Sequence, residues 1–124
     1  MAIITEDYVS FEIAKLLKEK GFDEICYLGY NRNGEYVPTN NRTNSQIIQP
    51  DFCFICCPTL QMAMKWLREV YGIYVVFFHT DRSGWWFNIS DIKDSYVLYG
   101  SEKTKCSFEE ICEAAIKYCL KELI

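Results

Sequence analysis

Long apolar runs are what this sequence of 124 residues lacks first. A bilayer-spanning helix needs about 20 consecutive apolar residues. The longest run here, residues 73–78, has the length of a buried strand instead. A secretory leader needs a basic start and a longer apolar stretch. Residues 1–4 are apolar, but the acidic pair Glu6-Asp7 follows at once, so no export signal and no membrane partner are expected. Histidine is nearly absent too. His79 stands alone, so imidazole-centred acid–base chemistry has one candidate, with Asp81 as its orienting carboxylate and a cysteine thiolate as its partner. The chain carries no P-loop, no G-x-G-x-x-G, no H-E-x-x-H, no G-x-S-x-G and no EF-hand loop. No internal repeat at a solenoid period occurs. With no catalytic constellation, the expectation is a protein that is not an enzyme and holds no cofactor.

Apolar residues make up 50% of the chain and charged residues 24%, the mix of a globular protein rather than a disordered one. Aromatics reach 16%, and their large burial area lets a short chain build a real core. The length fits a single domain over 1–124. The net charge of −4 disfavours phosphate-rich partners, which need a local positive field. Seven cysteines are an odd number, and with no export signal they read as reduced thiols in a cytoplasm.

A first helix is predicted from Thr5 as N-cap, with Glu6 and Asp7 in its first turn and Gly21 as its stop. A strand follows over 25–30. Asn33-Gly34 signals a hairpin, with a short return strand over 35–37 ended by Pro38. Residues 39–46, rich in Asn, read as an exposed loop, which Ile47 and Ile48 pin down. Residues 52–57 read as a brief strand ended by Pro58. The helix over 59–71 is apolar around most of its circumference, so it is expected to be central and buried on several sides, stopping at Gly72. Three strands then follow, over 73–79, 85–90 and 96–99, the first two joined by a hairpin at 80–84. A capping box, Ser107-Phe108-Glu109-Glu110, opens the last helix. The expected class is α+β: one twisted antiparallel sheet with helices packed on one face, in the order α-β-β-(β)-α-β-β-β-α.

Three stretches, ITEDYVSFEIAKLLKEKGFDE, PTLQMAMKWLREVYGI and EEICEAAIKYCLKELI, give the whole chain a resemblance to a family of small uncharacterised proteins of gut Bacteroidetes and their phages. That resemblance implies an accessory protein of mobile-element origin. From Thr59 onward the α-β-β-β-α order is similar to that of a double-stranded RNA-binding domain, and Ala114-Ala115 matches the small pair such domains carry in their last helix. Those domains place lysines at the start of that helix to straddle phosphates. Here Glu109 and Glu110 occupy the place, and two carboxylates repel phosphate.

Three candidate sites emerge. Trp85-Trp86 alternate on a strand, so one indole goes to each sheet face. The one on the open face, with Tyr74, Phe78, Tyr96 and Tyr99 adding to it, would stack bases or anchor a protein partner or a second copy of the chain. Against it stands a loop, such as the Asn-rich segment, folded over that face. A nucleic-acid surface would draw on Lys103, Lys105 and Arg82, with Lys65 or Arg68 contributing. Finally, Cys53, Cys56 and Cys57 include a C-x-x-C, half of a zinc site that Cys106 or His79 would have to complete, or a thiol pair for redox chemistry. On a strand, Cys53 and Cys57 face one way and Cys56 the other, which favours plain packing of small apolar thiols.

Overall fold

The computed structural model describes residues 5–46 and 54–124. Its elements run α1 (Phe11–Glu19), β1 (Cys26–Tyr30), β2 (Tyr36–Arg42), a 3-10 turn (Asn44–Gln46), β3 (Ile55–Cys56), α2 (Leu60–Tyr71), β4 (Ile73–Thr80), β5 (Gly84–Asp91), β6 (Val97–Gly100) and α3 (Phe108–Tyr118). The last turn of α3 widens into a π-helical turn, Cys119–Leu123. The class is α+β, with antiparallel strands throughout. The expected single sheet is instead two sheets of three strands, β2-β1-β3 and β4-β5-β6. Both edges of the first are blunted. On β3 the outward N–H of Cys56 donates to Asn44 Oδ1 at 2.9 Å, and Pro58 follows without an N–H of its own. On β2 the edge carries Pro38, then Asn40 and Asn41 at φ +55° and +59°. The chain divides into two compact units, 1–60 and 61–124.

In the first unit α1 starts later than the sequence suggests. Ser10, not Thr5, is the N-cap, and its Oγ accepts from Ile13 N at 3.3 Å. Glu6 and Asp7 lie outside the helix, because the residues before Ser10 are held in extended form. Val9 N donates to Pro58 O at 3.0 Å and Leu60 N to Asp7 O at 2.9 Å. The helix ends as expected at Gly21, φ +94°, where Phe22 N reaches back to Leu17 O and Gly21 N to Lys18 O. Leu17 and Phe22, which that turn brings together, are both fully buried.

The β1–β2 hairpin closes around Asn31, whose Oδ1 accepts from Asn33 N and Glu35 N at 2.9 and 3.0 Å. The return strand does not stop at Pro38. It runs on to Arg42, so part of the expected exposed loop is strand, and Thr39 is buried with its hydroxyl on Cys26 O. Asn44 is buried as well, donating to Phe22 O at 2.8 Å while it accepts from Cys56 N. Polar residues here are structural because each satisfies a backbone group that burial would otherwise orphan. The roles expected for Ile47, Ile48 and Phe52 lie outside the described residues.

In the second unit α2 presents one buried face, Ala63, Met64, Trp66 and Leu67. Met62, Val70 and Tyr71 are exposed, so the helix is not enclosed on several sides. The β4–β5 hairpin has the expected turn, with Thr80 opposite Gly84 and every pair from there to Ile73–Asp91 in unbroken register. β6 joins β5 with a bulge at Ile89/Ser90. α3 opens with the expected capping box: Glu110 N donates to Ser107 Oγ at 3.1 Å and Ser107 N to Glu110 Oε1 at 3.4 Å. It buries Ile111, Cys112, Ala115 and Ile116, followed by Cys119 and Leu120 in the widened turn.

Candidate functional site: the open face of the second sheet

Strand alternation assigns the side chains of β4 and β5 to two faces, and the hairpin register decides which meet. Phe77, Trp85, Phe87 and Tyr99 share one face. α3 lies on it: Phe108 sits 5.3 Å from Phe77 and 4.9 Å from Trp85, and Tyr118 stacks on Tyr99 at 3.7 Å and 17°. This face is core. Phe87 is 3% exposed and Ile89 is fully buried.

The other face carries Tyr74, Val76 and Phe78 from β4, opposite Ser90, Asn88 and Trp86 of β5. Val97 stands opposite Ser90 on β6. Phe78 and Trp86 stack in parallel, with centroids at 5.4 Å and planes 14° apart. The Lys103 ammonium lies over the Trp86 ring, 4.8 Å from its centroid. Val76 is 38% and Phe78 36% exposed, while Trp86 is half-buried. The result is an aromatic and aliphatic surface with a cation at its rim.

Ser90, opposite Tyr74, is buried, so the face is open at its Val76–Phe78 end; of the residues expected to form an interaction surface, Trp86 and Tyr74 are on this face and Trp85 is on the helix-covered one. Tyr99, half-buried, lies on the covered face too, stacked on Tyr118. Tyr96 precedes β6, is exposed, and contributes its carbonyl to Asp91 N at 2.8 Å. It belongs to the β5–β6 turn rather than to the face. Val76 is the member that residue typing passed over. The register set by the turn at 80–84 could have found it, since that turn places residue 76 beside Asn88. Lys103, expected for nucleic acid, sits on this same face. Lys105 and Arg82 are exposed, in the segment passing Gly84 and in the hairpin turn respectively.

The cysteine candidates fall apart as a metal centre. Cys53 lies outside the described residues. Cys56 and Cys57 point apart: Cys56 Sγ donates to Arg42 O at 3.3 Å and Cys57 Sγ to Val9 O at 3.4 Å. Val9 O also accepts from the Tyr30 hydroxyl at 2.6 Å. Among the described residues no three His, Cys, Asp or Glu side chains are placed to hold a metal ion. Cys56 instead shares a hydrogen bond with Cys26, which lies near it by the fold rather than by spacing. That bond holds the Cys26 thiol far above its ordinary range and favours the Cys56 thiolate. Both cysteines are buried. Burial, then its bonds to Tyr36 and Cys57, raises the Tyr30 phenol as well.

His79 is exposed, its ring 4.6 Å from that of Trp85, and no hydrogen bond joins it to Asp81 among the described residues. A shallow hollow of about 320 Å³ lies beside the end of α1, lined by Lys18, Gly21, Phe22, Asp23, Asn44 and Ser45. Asp23, Asn44 and Ser45 in its lining are already hydrogen-bonded. Asp23 Oδ1 accepts from Ser45 N at 2.7 Å, which holds the carboxyl below its ordinary value. Among the described residues no helix is long and apolar enough to cross a membrane.

No protein-family model matches the chain, and no curated protein or solved structure matches it either.

Proposed function

We propose that the chain is a non-enzymatic interaction protein that binds a protein partner through the open face of its second sheet. The observation that carries this reading is the stacked Phe78–Trp86 pair beside exposed Val76, on the face that α3 leaves uncovered. Large aromatics with part of their surface in water are the side chains that most often anchor protein interfaces. Lys103 at the rim suits a partner whose apolar segment is flanked by a carboxylate. The sequence resemblance to small proteins of Bacteroidetes and their phages supports an accessory role of this kind, in a reducing cytoplasm where the thiols stay free. The same face offers little to nucleic acid. Its aromatics could stack bases, but Lys103 is the one cation placed over it among the described residues, and tracking a phosphate backbone takes several.

A double variant, Phe78→Ser with Trp86→Ser, tests the reading. It should keep the far-UV circular dichroism of the parent and lose most of its binding to an apolar-surface dye such as bis-ANS. Collapse of the fold, or dye binding equal to that of the parent, would remove the proposal.

A further inference from the structure

The two sheets have four edges, and three of them are blunted. Proteins protect edges with proline, charge, bulges or brevity, because a bare edge pairs with other strands. β2 carries Pro38 and the left-handed pair Asn40-Asn41. β3 is two residues long and its outward N–H is taken by Asn44. β6 is four residues long and joins β5 through a bulge. β4 has none of these devices. It is eight residues, IYVVFFHT, with no proline, no Lys, Arg, Asp or Glu, and no break in register.

The hydrogen-bond pattern tells which of its backbone groups are open. Trp85 N and O both bond to Thr104 at 2.8 Å, and Phe87 O accepts from Ser101 N at 2.9 Å. The odd residues of β5 thus aim their backbone groups at the β6 side, and the even ones aim theirs at β4. In an antiparallel ladder, residues opposite each other either exchange both bonds or neither. Trp86, Asn88 and Ser90 therefore bond Phe78, Val76 and Tyr74. Ile73, Val75, Phe77 and His79 are left with N–H and C=O directed away from the sheet. Among the described residues no strand pairs with that side of β4.

We propose that this edge pairs with the same edge of a second copy of the chain, β4 against β4, about a two-fold axis through Val76. Only a two-fold centred on residue 76 uses all the outward groups at once. It sets Ile73 against His79 of the other copy and Val75 against Phe77, so each outward N–H meets an outward C=O. Val76 of one copy then faces Val76 of the other, and Phe78 faces Tyr74. No charged side chain lies in β4, so the two-fold brings no like charges together. The two sheets become one continuous sheet, and the two open faces merge on one side of it. The inference stands on backbone directions and register, so it holds or fails independently of whether the face binds a partner.

Sedimentation equilibrium of three proteins tests it. The parent chain should show twice the chain mass. Val76→Lys and Val76→Asp should each be monomeric, since each sets like charges face to face at the axis, and their equimolar mixture should recover the dimer. A monomeric parent, or single variants that remain dimeric, would overturn the proposal. So would failure of the mixture to reassociate while both variants keep the parent's circular dichroism. If either variant does not fold, amide exchange of the parent reads the same question. The Val75, Phe77 and His79 amides should gain protection as concentration rises, while those of Val76 and Phe78 are protected throughout. Fast exchange of Val75, Phe77 and His79 at every concentration would contradict the pairing.

Discussion

Two adjacent indoles with opposite duties carry most of the functional reading. Trp85 is wedged between His79 and Phe108 on the covered face, whereas Trp86 rests on Phe78 beneath Lys103. Trp85→Ser should cost about 3 kcal/mol, because truncating a packed aromatic leaves a cavity under α3. Trp86→Ser should cost about 1 kcal/mol, chiefly the lost stacking. Urea denaturation of both variants checks the pair, and equal losses would contradict the assignment of faces. Burial also shapes the titration of single thiols. It pushes Cys119 from its ordinary 9.0 up to about 12. A raised folded-state pKa means stability fully present below pH 9.0 and lost as pH rises from there toward 12. Cys26 and Tyr30 act in the same sense. Cys119→Ala should therefore flatten part of the fall in urea midpoint above pH 9.0. Parallel pH profiles for variant and parent would show that the thiol is not the source.

At the scale of elements, helices were legible and their borders were partly so. The stop at Gly21, the stop at Gly72 and the capping box at Ser107 are local chemistry, and the chain obeys them. The start of α1 was misread because two good N-caps compete. Thr5 has the right side chain, but the pairing of Asp7, Tyr8 and Val9 with the segment 58–60 holds the intervening chain extended. A non-local contact of that kind leaves no trace in a capping pattern. Ser10→Ala should cost about 1 kcal/mol and Thr5→Ala essentially nothing, as measured by denaturant midpoints. The reverse order would place the helix start back at Thr5. β2 was cut short at Pro38 for a related reason. Proline ends a central strand, yet it is admissible on an edge, and the edge status of β2 depends on strands far along the chain.

At the scale of the molecule, the class was readable and the number of sheets was not. Alternation names two faces for each strand, but only the pairing says which strands share a sheet. Asn44, read as loop, closes one edge of the first sheet by accepting from Cys56 N. The candidate site was legible in kind, as an aromatic sheet face, and wrong in membership, since Trp85, Tyr96 and Tyr99 do not line it. The central claim is that the face built on Phe78 and Trp86 meets another protein. It is tested most directly by a photo-crosslinking residue, p-benzoylphenylalanine, replacing Phe78 in one protein and exposed Val70 on α2 in another, each irradiated in the cells that make it. Position 78 should yield, beside the self-adduct that β4–β4 pairing gives, one discrete adduct with a different protein, lost when Trp86→Ser is added, and position 70 should yield none. No such adduct at 78, or the same adducts from both positions, would contradict the account.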